Sequence, residues 1–533
     1  MKYIYILEDD PRITKDLFET LKSIDPSLGL RFFNDLASFH EWLKIAVTEG
    51  PMSLAQGGSL HELDIETAES PPPAEATDEL RLVIAKDEFL GTRNMSLVRR
   101  ARDFFVRKKM CTEAEPTALI LTAFDSPDFD IKLAEDRIVN NVIFKPFDKL
   151  ILKQDIEYAL SGRHPLSSET VSAMKVKAVI EMLKEVSLSS ISEIGFTSVN
   201  NHEIRIGSLT KYYSDSFKAK NKRSAFAFCS ACKEVGPEQF LCEFRFFGID
   251  NLQISEIRRH VLAQKKHESV EIKNKDRLPS RFLIIDDDKT IPNDLQMVLG
   301  ERLENAESFS YTSYGQLLSD ISDKDTPSRQ VLPEQFEYVI ANYSVFEEEQ
   351  KSRWEGLLKV LKERAEKAGI TDFKEPVLYF YSKKEIKMEL YRTFAGWVKD
   401  IFYLPLDKSY IMKKIISAYP GVINKNPVTI GQFKEHVTLK VANPVEITEI
   451  SEAGLILKYY RGIGIGSFRE FVLWLPDELE TPEIIGTCNY TEKDKNTGTF
   501  FLNHFVFFGM KDLFLKHVRI WVRDSYIRSK GDE

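Results

Sequence analysis

The sequence predicts two parallel, doubly wound α/β domains that alternate with two small antiparallel β-barrels, arranged as an internal duplication. An apolar strand that runs into acidic residues occurs twice, at residues 3–10 and 282–288. Each copy is followed by short apolar strands alternating with amphipathic helices, the pattern of a parallel sheet covered on both faces. Each half then ends in β-rich runs broken by Gly or Asn, which is typical of a small antiparallel barrel with a closing helix.

The duplication is visible as matched segments at a constant spacing. VIFKPFD corresponds to IFYLPLD, SISEIGF to EISEAGL, and FRFFG to FVFFG. Lys145 and Leu404 are 259 residues apart, as are Gly195 and Gly454. The acidic pairs are 278 residues apart, so the first half carries about 20 extra residues. We assign them to the segment 49–79, whose Pro, Ser, Gly and acidic residues predict a disordered surface insertion.

These patterns predict five segments. They are a first α/β domain at 1–162, a first barrel at 165–266, a linker at 267–280, a second α/β domain at 281–420 and a second barrel at 421–533. The linker is polar, charged and ended by a proline. In doubly wound sheets, functional groups gather at the carboxyl ends of the strands.

Composition narrows the class of protein. The 533 residues are 43% hydrophobic and 29% charged, as in soluble globular proteins. The net charge of −9 argues against general nucleic-acid binding, which requires a basic surface. No apolar run reaches the ~18 residues of a membrane span, and the N-terminus lacks a signal peptide, so we expect a cytoplasmic protein.

The cysteines give no disulfide framework. Five are spread over the chain, an odd number that suits a reducing compartment. Cys229 and Cys232 form a single CxxC on a strand-like run. Residues three apart on a regular strand face opposite sides, so we expect structural thiols rather than a metal site.

Polar residues follow the strands of the first α/β domain in a specific order. Glu8 and Asp9 follow strand 1, Thr122 ends strand 4, and Lys145 precedes a proline after strand 5. This arrangement resembles the receiver domain of bacterial response regulators, a flavodoxin/CheY-like (βα)5 fold. The resemblance implies that Glu8 and Asp9 hold Mg²⁺, that an aspartate ending strand 3 accepts phosphate, and that Thr122 and Lys145 contact the phosphoryl group. The metal and the ammonium would neutralise the charge of the transferred group.

The acceptor position of this domain has two interpretations. The alignment of LVIAK with YVIAN places Lys86 in the acceptor register, with Asp87 next to it. A strand that ends one residue later, or carries a bulge, would instead turn Asp87 into the acidic pocket. Because side chains alternate along a strand, the in-register alignment favours Lys86, whose ammonium would replace the cation among Glu8 and Asp9.

The second α/β domain departs further from the receiver pattern. Asp286 and Asp287 keep the acidic pair, but Asn342 occupies the acceptor position and Leu404 replaces the lysine. The threonine position is Tyr381. An amide cannot form an acyl phosphate, so this domain resembles a pseudoreceiver kept as a docking or dimerisation surface.

The β-rich parts contain a short Ser/Gly motif that resembles part of the PilZ domain, a barrel family known for binding cyclic di-GMP. The motif residues are Ser190, Ser192 and Gly195 in the first copy and Glu449, Ser451 and Gly454 in the second. The family pattern also contains Arg-x-x-x-Arg, which neither copy has in the preceding residues. Lysine does not supply the planar guanidinium fork, so cyclic di-GMP binding is doubtful.

The resemblances imply a bacterial two-component-type signalling adaptor that acts through protein–protein contacts of degenerate domains. The implied partners are a histidine kinase or motility and polarity proteins. The resemblance also implies a dimer that forms through the receiver faces. We expect the protein to bind neither a membrane nor nucleic acid. No enzyme motif is present, so we expect the protein to have no enzymatic activity. The alternative is a phosphorylation-gated cyclic di-GMP receptor that controls motility or surface behaviour.

Overall fold

A computed structural model gives the fold of the chain. It describes residues 2–35, 37–39, 79–90, 117–124, 139–161, 174–219, 222–263, 267–270, 281–288, 290–303, 306–322, 332–346, 349–418, 428–473 and 483–531. The predicted insertion at 49–79 therefore lies outside the described residues, apart from Glu79. The chain divides into two compact units, unit 1 with Met1–Leu183 and Asn443–Glu533, and unit 2 with Lys184–Ala442.

The described elements are numbered in chain order. The strands are β1 (Lys2–Leu7), β2 (Gly29–Phe33), β3 (Glu79–Lys86), β4 (Ala118–Phe124), β5 (Asn141–Lys145), β6 (Met174–Ser192), β7 (Gly195–Asn200), β8 (Leu209–Tyr213), β9 (Ser224–Gly236), β10 (Gln239–Phe247), β11 (His267–Val270), β12 (Arg281–Ile285), β13 (Glu307–Tyr311), β14 (Tyr338–Asn342), β15 (Val377–Ser382), β16 (Val398–Tyr403), β17 (Val428–Ile450), β18 (Gly454–Tyr459), β19 (Phe468–Val472), β20 (Ile484–Lys493) and β21 (Phe501–Phe508). The α-helices are α1 (Pro11–Ile24), α2 (Asp87–Leu90), α3 (Lys149–Ser161), α4 (Asn251–Ala263), α5 (Thr290–Arg302), α6 (Tyr314–Ser322), α7 (Tyr343–Phe346), α8 (Gln350–Lys367), α9 (Met388–Phe394), α10 (Lys408–Ala418) and α11 (Asp512–Gly531). None of these helices is long and apolar enough to cross a membrane.

Unit 1 contains a five-stranded parallel sheet with the order β2-β1-β3-β4-β5. This order is that of flavodoxin- and CheY-like folds, so the predicted doubly wound sheet is confirmed. The strands are nearly continuous apolar runs because both faces are covered, and Ile4, Ile84 and Ile120 are fully buried. Helix α1 begins after Asp10, whose carboxylate accepts a 2.9 Å hydrogen bond from the backbone N–H of Arg12.

The rest of unit 1 is an antiparallel sheet followed by helix α11. Residues 446–450 of β17 pair with β18, which continues through β21, β20 and β19 to residues 181–183 of β6. Its inner face is lined by buried aliphatic and aromatic side chains, including Ile447, Leu455 and Phe505. Val518 and Trp521 of α11 pack into the same core.

Unit 2 contains the same two kinds of sheet. Its parallel sheet has the order β13-β12-β14-β15-β16, which matches the order in unit 1 strand for strand. Its antiparallel sheet runs from residues 187–192 of β6 through β7, β10, β9 and β8 to residues 440–441 of β17. Helix α4 follows this sheet, and Ile254 and Ile257 of the helix are buried in its core.

The compact units do not follow the predicted succession of domains. The long strands β6 and β17 each divide between the units, at residues 183/184 and 442/443. Unit 1 therefore joins the first parallel sheet to the last antiparallel sheet of the chain, and unit 2 joins the two sheets between them. The predicted linker at 267–280 is wrong at its start, because 267–270 form β11 and pair with β17. The polar composition of His267–Val270 gives no strand signal, and only the pairing with β17 shows that these residues form a strand.

Two motif glycines sit where neighbouring strands approach closely. A Cβ atom added to Gly195 would lie 1.9 Å from the carbonyl oxygen of Phe244, and one added to Gly454 would lie 2.1 Å from that of Phe505. These distances are far below van der Waals contact, so the glycines are required by packing alone. The Ser/Gly motif thus has a structural function whether or not a ligand binds.

We predict that Gly195→Ala lowers the free energy of unfolding by about 2 kcal/mol or more, because β7 and β10 must separate to admit the methyl group. Thermal unfolding followed by circular dichroism measures this. The control is Gly300→Ala in α5, where no atom lies within 4 Å of the added Cβ. Alanine there should stabilise the helix by up to about 1 kcal/mol. Equal unfolding temperatures for Gly195→Ala and the wild type would contradict the packing explanation.

Candidate functional site

The acidic pocket of unit 1 lies at the carboxyl ends of its parallel strands. Glu8 follows β1 and is 2% exposed. Its carboxylate lies 2.7 Å from the ammonium of Lys145 at the end of β5. The same carboxylate accepts a 3.2 Å hydrogen bond from the hydroxyl of Thr122 on β4. The predicted residues Glu8, Thr122 and Lys145 therefore meet in one buried, charge-neutral cluster.

Lys86 occupies the acceptor position at the end of β3. It pairs in register with Thr122, and its ammonium lies 3.0 Å from the Asp9 carboxylate and 2.6 Å from that of Glu88. Burial opposes ionisation of Asp9, but the hydrogen bond and charge of Lys86 outweigh it and lower the Asp9 pKa. Asp87 begins helix α2 instead, where burial raises its pKa. The geometry thus agrees with the in-register alignment, in which the Lys86 ammonium contacts Asp9.

The residues of this pocket do not fit Mg²⁺. The ion takes oxygen ligands in an octahedron, whereas both pocket carboxylates are already bound by ammonium groups, Glu8 by Lys145 and Asp9 by Lys86. Within the described parts of the chain, no three Cys, His, Asp or Glu side chains are grouped to hold a metal ion. The predicted role of Glu8 and Asp9 as metal ligands has no geometric support.

The acidic pocket of unit 2 is closed by neutral groups. Asp286 is completely buried, and its carboxylate accepts hydrogen bonds from the Asn342 amide at 2.9 Å and from the Tyr381 hydroxyl. The Asn342 amide also lies 3.4 Å from Asp287. Burial, and then the bond to Asp286, raise the pKa of Tyr381, so its hydroxyl remains a donor. Leu404 packs against the apolar core, where a receiver has its lysine.

A guanidinium joins the two sheets of unit 2. Arg258 of α4 donates from Nε to Glu193, in the loop of the Ser/Gly motif, and from Nη2 at 3.2 Å to Asp407, before α10. Lys413 of α10 forms a second ion pair with Glu193. Burial disfavours the charged form of Arg258, but the bonds to Asp407 and Glu193 outweigh it and raise its pKa.

The same bridge is present in unit 1. Arg519 of α11 donates to the Glu452 carboxylate at 2.9 and 2.8 Å and to Asp148, before α3, at 2.9 Å. Arg–carboxylate pairs of this forked kind are among the strongest polar contacts. Each unit therefore uses one arginine of the closing helix to bind both a motif glutamate and an aspartate of the parallel-sheet part.

The last strand of each parallel sheet also contacts the antiparallel sheet through polar groups. In unit 2, Asp400 accepts a 2.8 Å hydrogen bond from the Gly248 N–H and pairs with Lys414 at 2.6 Å. In unit 1, Asn141 donates to the carbonyl of Phe507 at 3.1 Å and accepts from the Gly509 N–H at 3.0 Å. Fully buried Asp155 is hydrogen-bonded to Asn141, and burial raises its pKa well above the usual value.

The motif serines and glutamate make local contacts. Ser190 bonds Thr197 at 2.7 Å, and the hydroxyls of Ser192 and Ser451 donate to the carbonyls of Gly195 and Gly454 at 3.0 and 3.2 Å. Glu449 is half-buried near the end of β17. Ser192 and Ser451 therefore close the turns of their own motifs.

Sequence reasoning missed the residues of the bridges, although the repeat contains a signal for them. Glu193 and Glu452, and also Asp148 and Asp407, are 259 residues apart, within segments that were already aligned. They belong to the variable positions of the Ser/Gly motif and of the turn after strand 5. A charged residue repeated at the constant spacing was therefore the available signal.

The solved structures to which the chain is similar include receiver domains of response regulators. No protein-family model and no curated protein matches the chain. Among solved structures, it is similar to a response regulator receiver domain protein of Clostridium thermocellum, with 12% identity over 26% of this chain and 93% of that one, at a TM-score of 0.19. A response regulator receiver protein of Burkholderia phymatum has 11% identity over 31% of this chain and 100% of that one, at 0.20. A CheY-like receiver domain protein of Methanospirillum hungatei has 17% identity over 26% of this chain and 90% of that one, at a TM-score of 0.19. Scores at this level carry no argument about activity.

We predict that Lys86→Asp creates a response to Mg²⁺ that the wild type lacks. The substitution removes the ammonium from Asp9 and adds a carboxylate at the acceptor position. Thermal unfolding with and without millimolar Mg²⁺ measures the response as a rise in the unfolding temperature. Lys86→Met is the control, since it removes the charge without adding a ligand. A Mg²⁺-dependent rise in the wild type would contradict this interpretation of the pocket.

We predict that Asp155→Asn stabilises the protein, and more so as the pH rises. Burial raises the pKa of Asp155 in the folded state well above 3.8, the ordinary value of an aspartate in the unfolded chain. This carboxyl therefore contributes full stability below that value and loses it as the pH rises toward the folded pKa. Urea unfolding at about pH 5 and about pH 8 compares the two proteins. An equal difference at both pH values would show that Asp155 is ionised in the fold.

Proposed function

We propose that the chain is a bacterial two-component-type signalling adaptor that acts through protein contacts and not through phosphotransfer or catalysis. The observation that carries this proposal is the internal occupation of both acidic pockets. Lys86 and Lys145 bind the carboxylates of the first pocket, and Asn342 and Tyr381 bind Asp286 in the second. A phosphoryl group and its metal ion would have to displace these contacts before they could bind.

The proposed architecture is a receiver and a pseudoreceiver with two PilZ-like barrels, related by duplication. Three matched features support it: the strand order 2-1-3-4-5 of both parallel sheets, the 259-residue spacing, and an arginine bridge of the same composition in each unit. Three independent matches at corresponding positions are more simply explained by duplication than by convergence.

Ligand binding by the barrels is not part of the proposed function. Arg258 and Arg519, which could offer a guanidinium fork beside the Ser/Gly motif, are both bound to carboxylates. Each guanidinium would have to break its bonds to these carboxylates before it could bind a dinucleotide phosphate. This favours the adaptor over the cyclic di-GMP receptor.

The proposed partners are other signalling proteins of the cytoplasm, such as a histidine kinase or motility and polarity proteins. In receivers, the face formed by helix 4, strand 5 and helix 5 is the usual candidate for docking or dimerisation. Here strand 5 and helix 5 residues of that face, including Asp400, Lys413 and Lys414, contact the antiparallel part of unit 2 at Gly248, Glu193 and Phe246. We therefore place partner contacts, or a dimer of the whole chain, on other surfaces of the receivers.

The test exposes the purified full-length protein to acetyl phosphate with Mg²⁺ and, separately, to cyclic di-GMP. Intact-mass analysis should detect no phosphoryl adduct, and calorimetric titration should detect no binding in the micromolar range. Asp87→Asn is the matched variant for the first arm. An adduct that forms on the wild type but not on Asp87→Asn, or micromolar binding of the dinucleotide, would establish the phosphorylation-gated receptor instead.

A further inference from the structure

Three of the described cysteines lie together in the antiparallel sheet of unit 2. Cys232 on β9 and Cys242 on β10 are direct cross-strand partners, and their sulfur atoms are 2.8 Å apart. This distance is shorter than van der Waals contact between two sulfurs and longer than a disulfide bond. Cys242 is completely buried, Cys232 is half-buried, and both are free thiols.

A β-bulge produces this arrangement. Between Cys229 and Ala231 the register of β9 against β10 shifts by one residue, so Ser230 has no partner on β10. On a regular strand, Cys229 and Cys232 would face opposite sides, as expected from the sequence. The extra residue overturns that expectation and turns both thiols toward Cys242.

The antiparallel sheet of unit 1 fills the corresponding cross-strand position with a hydrogen-bonded pair. Thr491 on β20 is the direct partner of Asn503 on β21, and its hydroxyl lies 3.0 Å from the Asn503 carbonyl oxygen. Both side chains also bond the backbone of Ile463, at 2.9 and 2.7 Å. In unit 2, the backbone N–H of Ile204 instead lies 3.5 Å from the sulfur of Cys232. Two thiols thus occupy the cross-strand position that a hydrogen-bonded pair occupies in unit 1.

We propose that Cys232 and Cys242 are a redox modification site, a dithiol that a peroxide oxidises to an intramolecular disulfide. Directly paired residues of antiparallel strands have Cα atoms about 4.5–5.5 Å apart, within the range that a disulfide spans. To form the bond, the two sulfurs must approach from 2.8 Å to about 2.05 Å. The product covalently joins β9 to β10 beside Ile204.

The reaction begins at the accessible thiol. The Cys232 sulfur attacks hydrogen peroxide, forms an S–O bond and breaks the O–O bond, which gives a sulfenic acid and one water. The Cys242 sulfur then attacks this sulfur, and its proton leaves with the hydroxyl as a second water. Two thiols lose two electrons in total, and the peroxide gains them. Burial raises the pKa of Cys229 to about 11 and that of Cys242 to about 12, so neither of these two is the first nucleophile.

The experiment oxidises the reduced full-length protein with one equivalent of hydrogen peroxide. Titration should show that two of the five thiols are lost, and the intact mass should fall by about 2 Da. Trypsin cleaves after Arg223, Lys233 and Arg245, so the disulfide should link the peptides 224–233 and 234–245. Cys229→Ala should keep this link, and Cys232→Ser should lose it.

Two further variants separate the proposal from misfolding and from general oxidation. The double variant Cys232→Thr/Cys242→Asn copies the hydrogen-bonded pair of unit 1 and should fold, yet show no thiol loss at the same peroxide dose. Cys488→Ser removes the buried thiol of β20 and should leave the link unchanged. A link that survives Cys232→Ser but not Cys229→Ala, or preferential oxidation of Cys111 or Cys488, would overturn the proposal.

Discussion

A guanidinium bound between two carboxylates links the closing helix of each unit to its Ser/Gly turn and to its parallel-sheet part. In unit 2, Arg258 of the closing helix binds Glu193 of one sheet and Asp407 of the other, and Arg519 does the same in unit 1 with Glu452 and Asp148. Glu193 is almost completely buried, and two cations, Arg258 and Lys413, balance its charge there. The arginine therefore fixes the closing helix, the Ser/Gly turn and the parallel sheet in one geometry.

This constraint gives the Ser/Gly motif a structural function that does not depend on a ligand. The glutamate inside the motif is positioned by the turn that the serine and glycine make, and the glycine is needed because the neighbouring strand passes within 1.9 Å of where a Cβ would be. The motif thus places a carboxylate under the arginine. The strand ends of the parallel sheets are likewise stabilised by internal contacts, made by Lys86 and Lys145 in one unit and by Asn342 and Tyr381 in the other.

The sequence predicted the fold better than it predicted the contacts. Apolar runs and their spacing were sufficient for the doubly wound sheets, since a buried parallel strand has a composition of its own. The ion pair of Lys86 with Asp9 followed from register, because alternation along a strand decides which side chain faces the pocket. The side-chain register of a strand does not determine which antiparallel sheet packs with which parallel sheet. The division of β6 and β17 between the units was therefore not predictable. The bulge at Ser230 was also missed, because it depends on the partner strand and not on the sequence of β9.

One position in the contact between the sheets shows how the two units satisfy the same backbone with different charges. Asp400 and Asn141 each accept a hydrogen bond from a glycine N–H, Gly248 in unit 2 and Gly509 in unit 1. The aspartate requires a buried cation, which Lys414 supplies, and the ammonium also bonds the nearby carbonyl of Phe246. The asparagine is neutral and donates to the equivalent carbonyl itself, and at the lysine position burial raises the pKa of Asp155, which favours its uncharged form. In both units, this contact between the sheets therefore has one acceptor for the glycine N–H and one donor for the phenylalanine carbonyl. A charged acceptor, Asp400, occurs here together with a charged donor, Lys414.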